Sequence, residues 1–465
     1  MKIKNPVSFP MIKLFVSALS ILTLCLNSFS ADFSKLETFT DDEKLWDVSS
    51  NDFLDRSNEM YFKWLSDTDR ESEVRYPGYS NSPGMTFLGM KSWETIIRFE
   101  GGKVSQIEIL TYNRGDSGEI SDEKAFQASV DETVGKLDEW SMDKGTPIPK
   151  ERLKTGMYLE KKVWVKNNSL AVELRWSASE RIKTQDFEDP RAKEKKIKFR
   201  AEYIKIIISR FDPKNDPRKM ASSPKKADIA SAMDIRQNVK KDADGFVYIE
   251  NIPMVDQGNK GYCAVATAER ILKYYGTDVD QNILAQLVNS SATKGTGAEE
   301  MLDVLKKVQS KFGVLIRTHY EIKLQSFINT VNDYNKLTKK AGGKPITYGT
   351  DIDVSGIYNA MDPELLKKAK CEKDKIGFKN FQGDIMRHVD QGIPLIWSVI
   401  LGIVNEKGLP QAKGGHMRII SGYNKDKNEI IYSDSWGKDH EKKKMPMDDA
   451  WTITTGLYSF NPGKK

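Results

Sequence analysis

The spacing of apolar residues along the chain divides it into two halves. In the first, residues 95–99 and 104–112 alternate or run apolar around Gly101-Gly102, which predicts a β-hairpin. Phe126, Val130, Val134 and Leu137 then recur at helical spacing, so residues 122–140 read as a helix capped by Ser121 or Asp122. A second hairpin is expected from residues 161–165 and 170–176, which flank Asn167-Asn168-Ser169, and a further strand from residues 196–209. After residue 212 a polar, Pro-containing stretch without periodicity reads as a linker. We therefore divide the chain into residues 1–30 (a targeting segment), an α+β domain over 31–212, a linker over 213–237 and a second domain over 238–465.

In the second half, Val265, Ala268, Ile271, Leu272 and Tyr275 fall on one helical face, and Gly276 ends the run. Helices are also expected from Asp280 through Val288 and from Thr296 or Gly297 through Gln309, with His388 on another over residues 384–390. Strands are expected at residues 314–319 and 394–400, at His416, at Glu429, and over 451–460. A helical half followed by a sheet half results, with no internal repeat.

Cys263 sits in the first turn of the helix closed by Gly276, where unpaired backbone N–H groups and the dipole favour a thiolate. Gln257 lies six residues earlier, across a loop whose Gly258 and Gly261 can turn sharply. Its side-chain amide can donate to a developing oxyanion together with the Cys263 N–H. His416, approached through Gly414-Gly415, opens a mainly apolar run, and a polar turn at residues 424–428 returns a second run that delivers Asp434. A carboxylate placed there fixes the imidazole tautomer and supports an imidazolium. A lone Cys or His is more often structural, but Gln, Cys, His and Asp in this order point to nucleophilic catalysis. The other three histidines, His319, His388 and His440, lack both the Gly-Gly approach and an Asp on a returning strand.

At these residues the chain resembles the papain-like cysteine peptidase superfamily. The order Gln, Cys, His, Asp, the six-residue step from Gln257 to Cys263, and Trp436 two positions after Asp434 carry the resemblance. Ile252-Pro253, Lys273-Tyr274-Tyr275-Gly276 and the Gly-Gly-His approach are closest to the bacterial branch related to double-glycine leader peptidases. The resemblance implies Gln257 as oxyanion donor, Cys263 as nucleophile, His416 as base and acid, and Asp434 as orienter. Trp436 would shield the His416 to Asp434 bond, with Gly261 and Gly415 in supporting positions. Ala264 stands where Gly is common, Asp434 stands where the papain type has Asn, and the long segment from Cys263 to His416 implies an insertion. The resemblance covers roughly the last 220 residues.

Lys2, Lys4 and Lys13 ahead of an apolar core over residues 14–26 read as a secretory signal peptide cut after Ser30. A periplasmic or extracellular protein without a stable membrane anchor is expected, since that core is too short to span comfortably. The formal charge of +6 falls to +3 once those three lysines are removed, which argues against nucleic acid as a partner. Of three cysteines, Cys25 leaves with the signal and Cys371 lies in a Lys-rich run that looks exposed and mobile, so no structural disulfide is expected. Six tryptophans in the first half suggest a packed core more than a binding surface.

The expected function is a secreted cysteine peptidase acting on peptides or proteins, without metal or other cofactor. No HExxH, phosphate loop or dinucleotide fingerprint occurs. An acyltransferase or amidase of the same fold, and a non-catalytic binding protein using the Trp-rich first half, are the alternatives. The first domain is a candidate intramolecular regulator: residues from about 238 onward are expected to be active alone, and the full chain slower before cleavage.

Overall fold

The computed structural model of the chain describes residues 35–463 apart from 42, 58–61, 67–72, 78–83, 153–156, 183–196, 220–234, 259–260, 278, 280, 289–297 and 351. The signal segment with Cys25, most of the linker, the Asp280 cap and the Thr296 or Gly297 cap therefore lie outside the described residues.

The protein is α+β, with all strand pairs antiparallel. The first half holds β1 (Lys63–Trp64), β2 (Glu73–Pro77), β3 (Thr86–Phe87), β4 (Met90–Lys91) and β5 (Glu94–Glu100). It continues with β6 (Lys103–Asn113), β7 (Thr146–Arg152), β8 (Met157–Lys166), β9 (Leu170–Ile182) and β10 (Ile197–Arg210). Apart from the β3–β4 ribbon they form one sheet in the order β1-β2-β5-β6-β10-β9-β8-β7. Gly101 and Gly102 both take left-handed φ values, +59° and +75°, so two residues suffice to join β5 to β6. Asn167 and Asn168 likewise take left-handed φ values in the three-residue turn, 167–169, between β8 and β9. The helix Glu123–Ser141, capped by Asp122, buries Phe126, Val130 and Leu137 against one face of this sheet. Trp46 and Trp164 join that core, and Trp64, Trp140 and Trp176 pack on its margin.

The opposite face of the same sheet is charged. Arg98 bridges Glu73 and Glu108, Lys205 reaches Glu108 at 3.1 Å, and Arg75 pairs with Glu94. Alternation along β5, β6 and β10 explains this, because Ile97, Ile107 and Ile206 point to the core while their neighbours point away.

The second half has its own core and a sheet of β11 (Val239–Lys241), β12 (Val247–Ile249), β13 (Val314–Glu321), β14 (Leu395–Leu401), β15 (Gly414–Asn424), β16 (Glu429–Ser433), β17 (Lys443–Pro446) and β18 (Thr454–Pro462). The order is β11-β12-β15-β14-β18-β13, with β16 pairing β15 and β17. Helices Cys263–Tyr274, Gln281–Leu287 and Ala298–Val308 precede β13, and a helical stretch from Leu324 to Val389 separates β13 from β14.

Two expectations need correction. Residues 451–453 belong to the helix Met447–Ile453 and not to β18, because Trp451 is drawn into the helical core against Tyr320 and Phe381. Cys371 is neither exposed nor loosely held: it is half-buried in the π-helical turn Ala369–Lys373, its thiol facing the Asp448 carbonyl at 3.7 Å, and burial pushes it up to about 11. The residue beside it is more constrained still. Lys370 is buried, donating to the Thr452 and Thr454 carbonyls at 3.1 and 2.7 Å, with no ion pair to a carboxylate among the described residues. Burial pushes its amine down to about 7, against weaker opposing pulls from Cys371 and Asp374.

A neutral amine can make both bonds, so the fold favours the deprotonated form. The stability tied to this group is present above the ordinary lysine range and is lost as pH falls toward about 7. Relative to wild type, Lys370→Met is therefore expected to look most favourable at pH 7 and to lose ground by pH 9.5. A difference in Tm that stays constant across that range would contradict this origin.

Candidate active site

Cys263 is the first residue of the helix Cys263–Tyr274, and the residue before it, Tyr262, provides no side-chain cap. The first-turn N–H groups are thus left for the thiol or a ligand. Ala264, Val265, Ala268, Ile271 and Leu272 are buried and fix the helix in the core, while Cys263 itself is a half-buried free thiol. One turn further, Thr267 donates to the Met417 carbonyl at 3.2 Å, which ties the helix to β15 next to His416.

The β15–β16 hairpin pairs Ile419 with Ser433, so the residue after Ser433 comes back beside the start of β15. There Asp434 Oδ1 meets His416 Nε2 at 2.9 Å, with both side chains fully buried. Nδ1 of His416 makes no well-aligned hydrogen bond, but the Cys263 sulfur is near enough to act on the ring. Burial opposes charging of this imidazole, yet the bonds to Asp434 and Cys263 outweigh it and hold the ring above its usual range. Trp436 lies flat on the His416 ring, with centroids 4.1 Å apart and planes 5° from parallel. Gly415 is exposed, and an added Cβ there would meet open space.

Four residues around Asp434 were not singled out from the sequence. Arg418, wholly buried, donates from Nε to Asp434 Oδ1 at 2.7 Å and pairs with Glu406 at 3.0 Å. Tyr432 also donates to Glu406, at 2.5 Å. Although burial opposes ionisation of Asp434, the Arg418 guanidinium and the His416 bond hold its carboxyl far below the usual range. His440 stands 3.9 Å from Asp434 Oδ2 and edge-on to Trp436, so the charged loop that carries it folds back onto the site. The signal for Arg418 was available: it lies two positions after His416, on the same face of the strand, in an otherwise apolar run.

Gln257 is held by the segment that carries Asp434. Its backbone N–H donates to the Ser435 carbonyl at 2.9 Å, and Ser435 Oγ donates to its Oε1 at 2.8 Å, which leaves the amide NH₂ as the donating end. The turn after it is left-handed at Gly258, φ +69°. Arg270, on the nucleophile helix, donates to the carbonyls of Pro253 and Asp434, each at 2.8 Å, and to Ser433 Oγ at 2.6 Å. One buried guanidinium thereby locks helix, entry loop and return strand together. Among the described residues no group of three or more His, Cys, Asp or Glu is placed to hold a metal ion, and no helix is long and apolar enough to cross a membrane.

Helix-borne thiol, sheet-borne imidazole and returning carboxylate define a papain-like cysteine peptidase domain. Residues 249–459 match the Peptidase_C39 like family, so the C-terminal half of the chain is a C39-like domain of that class. No curated protein matches the chain.

Proposed function

We propose that the C-terminal half hydrolyses peptide bonds through Cys263, His416 and Asp434, with Gln257 and the Cys263 N–H binding the oxyanion. Support comes from the family match, which indicates a cysteine peptidase, and above all from His416, whose Nε2 joins Asp434 and whose ring is held above its usual range by Asp434 and Cys263 together against burial. The Cys263 thiol gives its proton to His416 and its sulfur attacks the amide carbonyl. The oxyanion then collapses as the C–N bond breaks, and His416 protonates the leaving amine. Water, activated by the now neutral His416, attacks the thioester and frees the carboxylic acid. Trp436, stacked on the ring, keeps bulk water from the imidazolium. Export through the amino-terminal segment, and action outside the cytoplasm on peptide or protein substrates, are part of the same proposal; they rest on the sequence of residues 1–30.

The test is a peptide-library digest by the full chain and by Cys263→Ala, read by mass spectrometry. Cleavages made by the wild type alone are expected. Identical digests would reject the peptidase, and acyl transfer to an added amine outrunning hydrolysis would make the domain an acyltransferase.

A further inference from the structure

The residue preceding Gln257 is gripped by the other half of the chain. Arg75, on β2, is 5% exposed, and its guanidinium spans two carboxylates: Glu94 in its own sheet and Asp256, whose Oδ2 it reaches at 2.8 Å. Asp256 in turn accepts the Gly258 N–H on Oδ1 at 2.8 Å, which shapes the left-handed turn at Gly258. The Asp256 carbonyl accepts from Gln281 Nε2 at 3.1 Å, and the next residue is fixed through Ser435. Residues 256–258 are therefore held by three separate parts of the molecule, and one of them, Arg75, comes from the first half. The contact is not isolated, since Glu269, Lys273 and Asn282 also face the charged side of the first sheet around a residual cavity of about 30 Å³.

We propose that Arg75 is a positioning residue for the oxyanion loop, so that the first domain supplies part of the geometry the second uses. This rests on the peptidase assignment above. The Asp256 side chain is 22% exposed, so its second oxygen can turn to water unless a fixed cation holds it. Arg75 is that cation, and a charge-assisted bond to it sets the rotamer from which Asp256 holds Gly258. Without it the carboxylate is drawn to water, Gly258 is released, and the Gln257 amide loses its aim. Displacements of the order of 1 Å at such a donor cost about 10²-fold in rate. On this basis the first domain contributes to the geometry of the catalytic half, a role separate from the inhibition expected of it.

In the full-length chain, Arg75→Met is expected to lower kcat on a peptide substrate by about 10- to 100-fold while KM stays within about twofold. Alkylation of Cys263 by iodoacetamide should keep its rate, because that displacement develops no carbonyl oxyanion. In a Gln257→Ala background, Arg75→Met should cost little more, since the donor it positions is gone. Asp256→Asn, which can still accept the Gly258 N–H, should show the same split more weakly. A parallel fall in alkylation and turnover, or fully additive losses with Gln257→Ala, would overturn the proposal. Hydrogen exchange across residues 254–262 decides independently of any substrate: faster exchange in Arg75→Met is expected, and unchanged exchange defeats the proposal. Should the wild type cleave no peptide, the peptidase assignment fails, while the exchange result still judges Arg75.

Discussion

Cys263→Ala is expected to abolish peptide turnover, His416→Ala to lose of the order of 10⁴-fold or more, and Asp434→Asn to lose only roughly tenfold. The ordering follows from what each atom does. The sulfur forms the bond and the imidazole moves every proton, so neither has a substitute. Asp434 accepts from His416 Nε2 and from Arg418 Nε, both on Oδ1, and an amide oxygen can accept both. A serine nucleophile needs the carboxylate charge to make its imidazole basic enough. A thiol gives up its proton far more readily, so the charge matters less here. Its loss should still be visible in the pH profile. Burial pulls the His416 ring down and the Asp434 and Cys263 bonds hold it up. Removing the charge on one of them should move the alkaline limb of kcat/KM toward lower pH. An Asp434→Asn enzyme as inactive as Cys263→Ala would show that the charge itself is indispensable, and an unmoved alkaline limb would disconnect Asp434 from the ionisation of His416.

Much of the site was legible because its parts obey local rules. The helix at Cys263 shows itself through a single apolar face closed by Gly276, and the His416 to Asp434 approach through a polar turn between two apolar runs. The hairpins at Gly101-Gly102 and Asn167-Asn168 were equally local, since each turn needs left-handed residues and the chain puts Gly or Asn there. What escaped was set by tertiary packing. Trp451 looked like part of a strand because Trp, Thr and Ile alternate suitably, and only its contacts with Phe381 and Tyr320 explain the helix. Cys371 looked solvated because lysines flank it, yet Lys370 is buried by carbonyls some eighty positions away. Arg75 and Asp256 lie 181 positions apart, and no periodicity in either segment marks their meeting. His440 has no Asp following it on a returning strand, and the carboxylate it faces, Asp434, lies six residues before it.

Arg418→Met should lower stability more than any surface substitution, by about 3–5 kcal/mol, or roughly 10 °C in Tm for a catalytic half of this size. The guanidinium has no exposed surface; it lies against the Tyr432 ring and is the cation shared by two buried carboxylates, Asp434 and Glu406. A methionine of similar length fills the space but leaves both anions in the same low-dielectric site, with Tyr432 as the remaining donor to Glu406. Arg418→Lys should fall between, since a single ammonium cannot bridge both partners. The pH dependence identifies the cause. In the wild type Asp434 is held far below the ordinary carboxylate range, so the stability it brings is present above the ordinary range and persists deep into acid. Without Arg418 only part of that hold remains, through His416, and either carboxylate can relieve the repulsion by taking up a proton. The deficit of Arg418→Met against wild type should therefore shrink between pH 7 and pH 4.5. A deficit that is constant or grows toward acid would mean that lost packing, and not uncompensated charge, is what the substitution exposes.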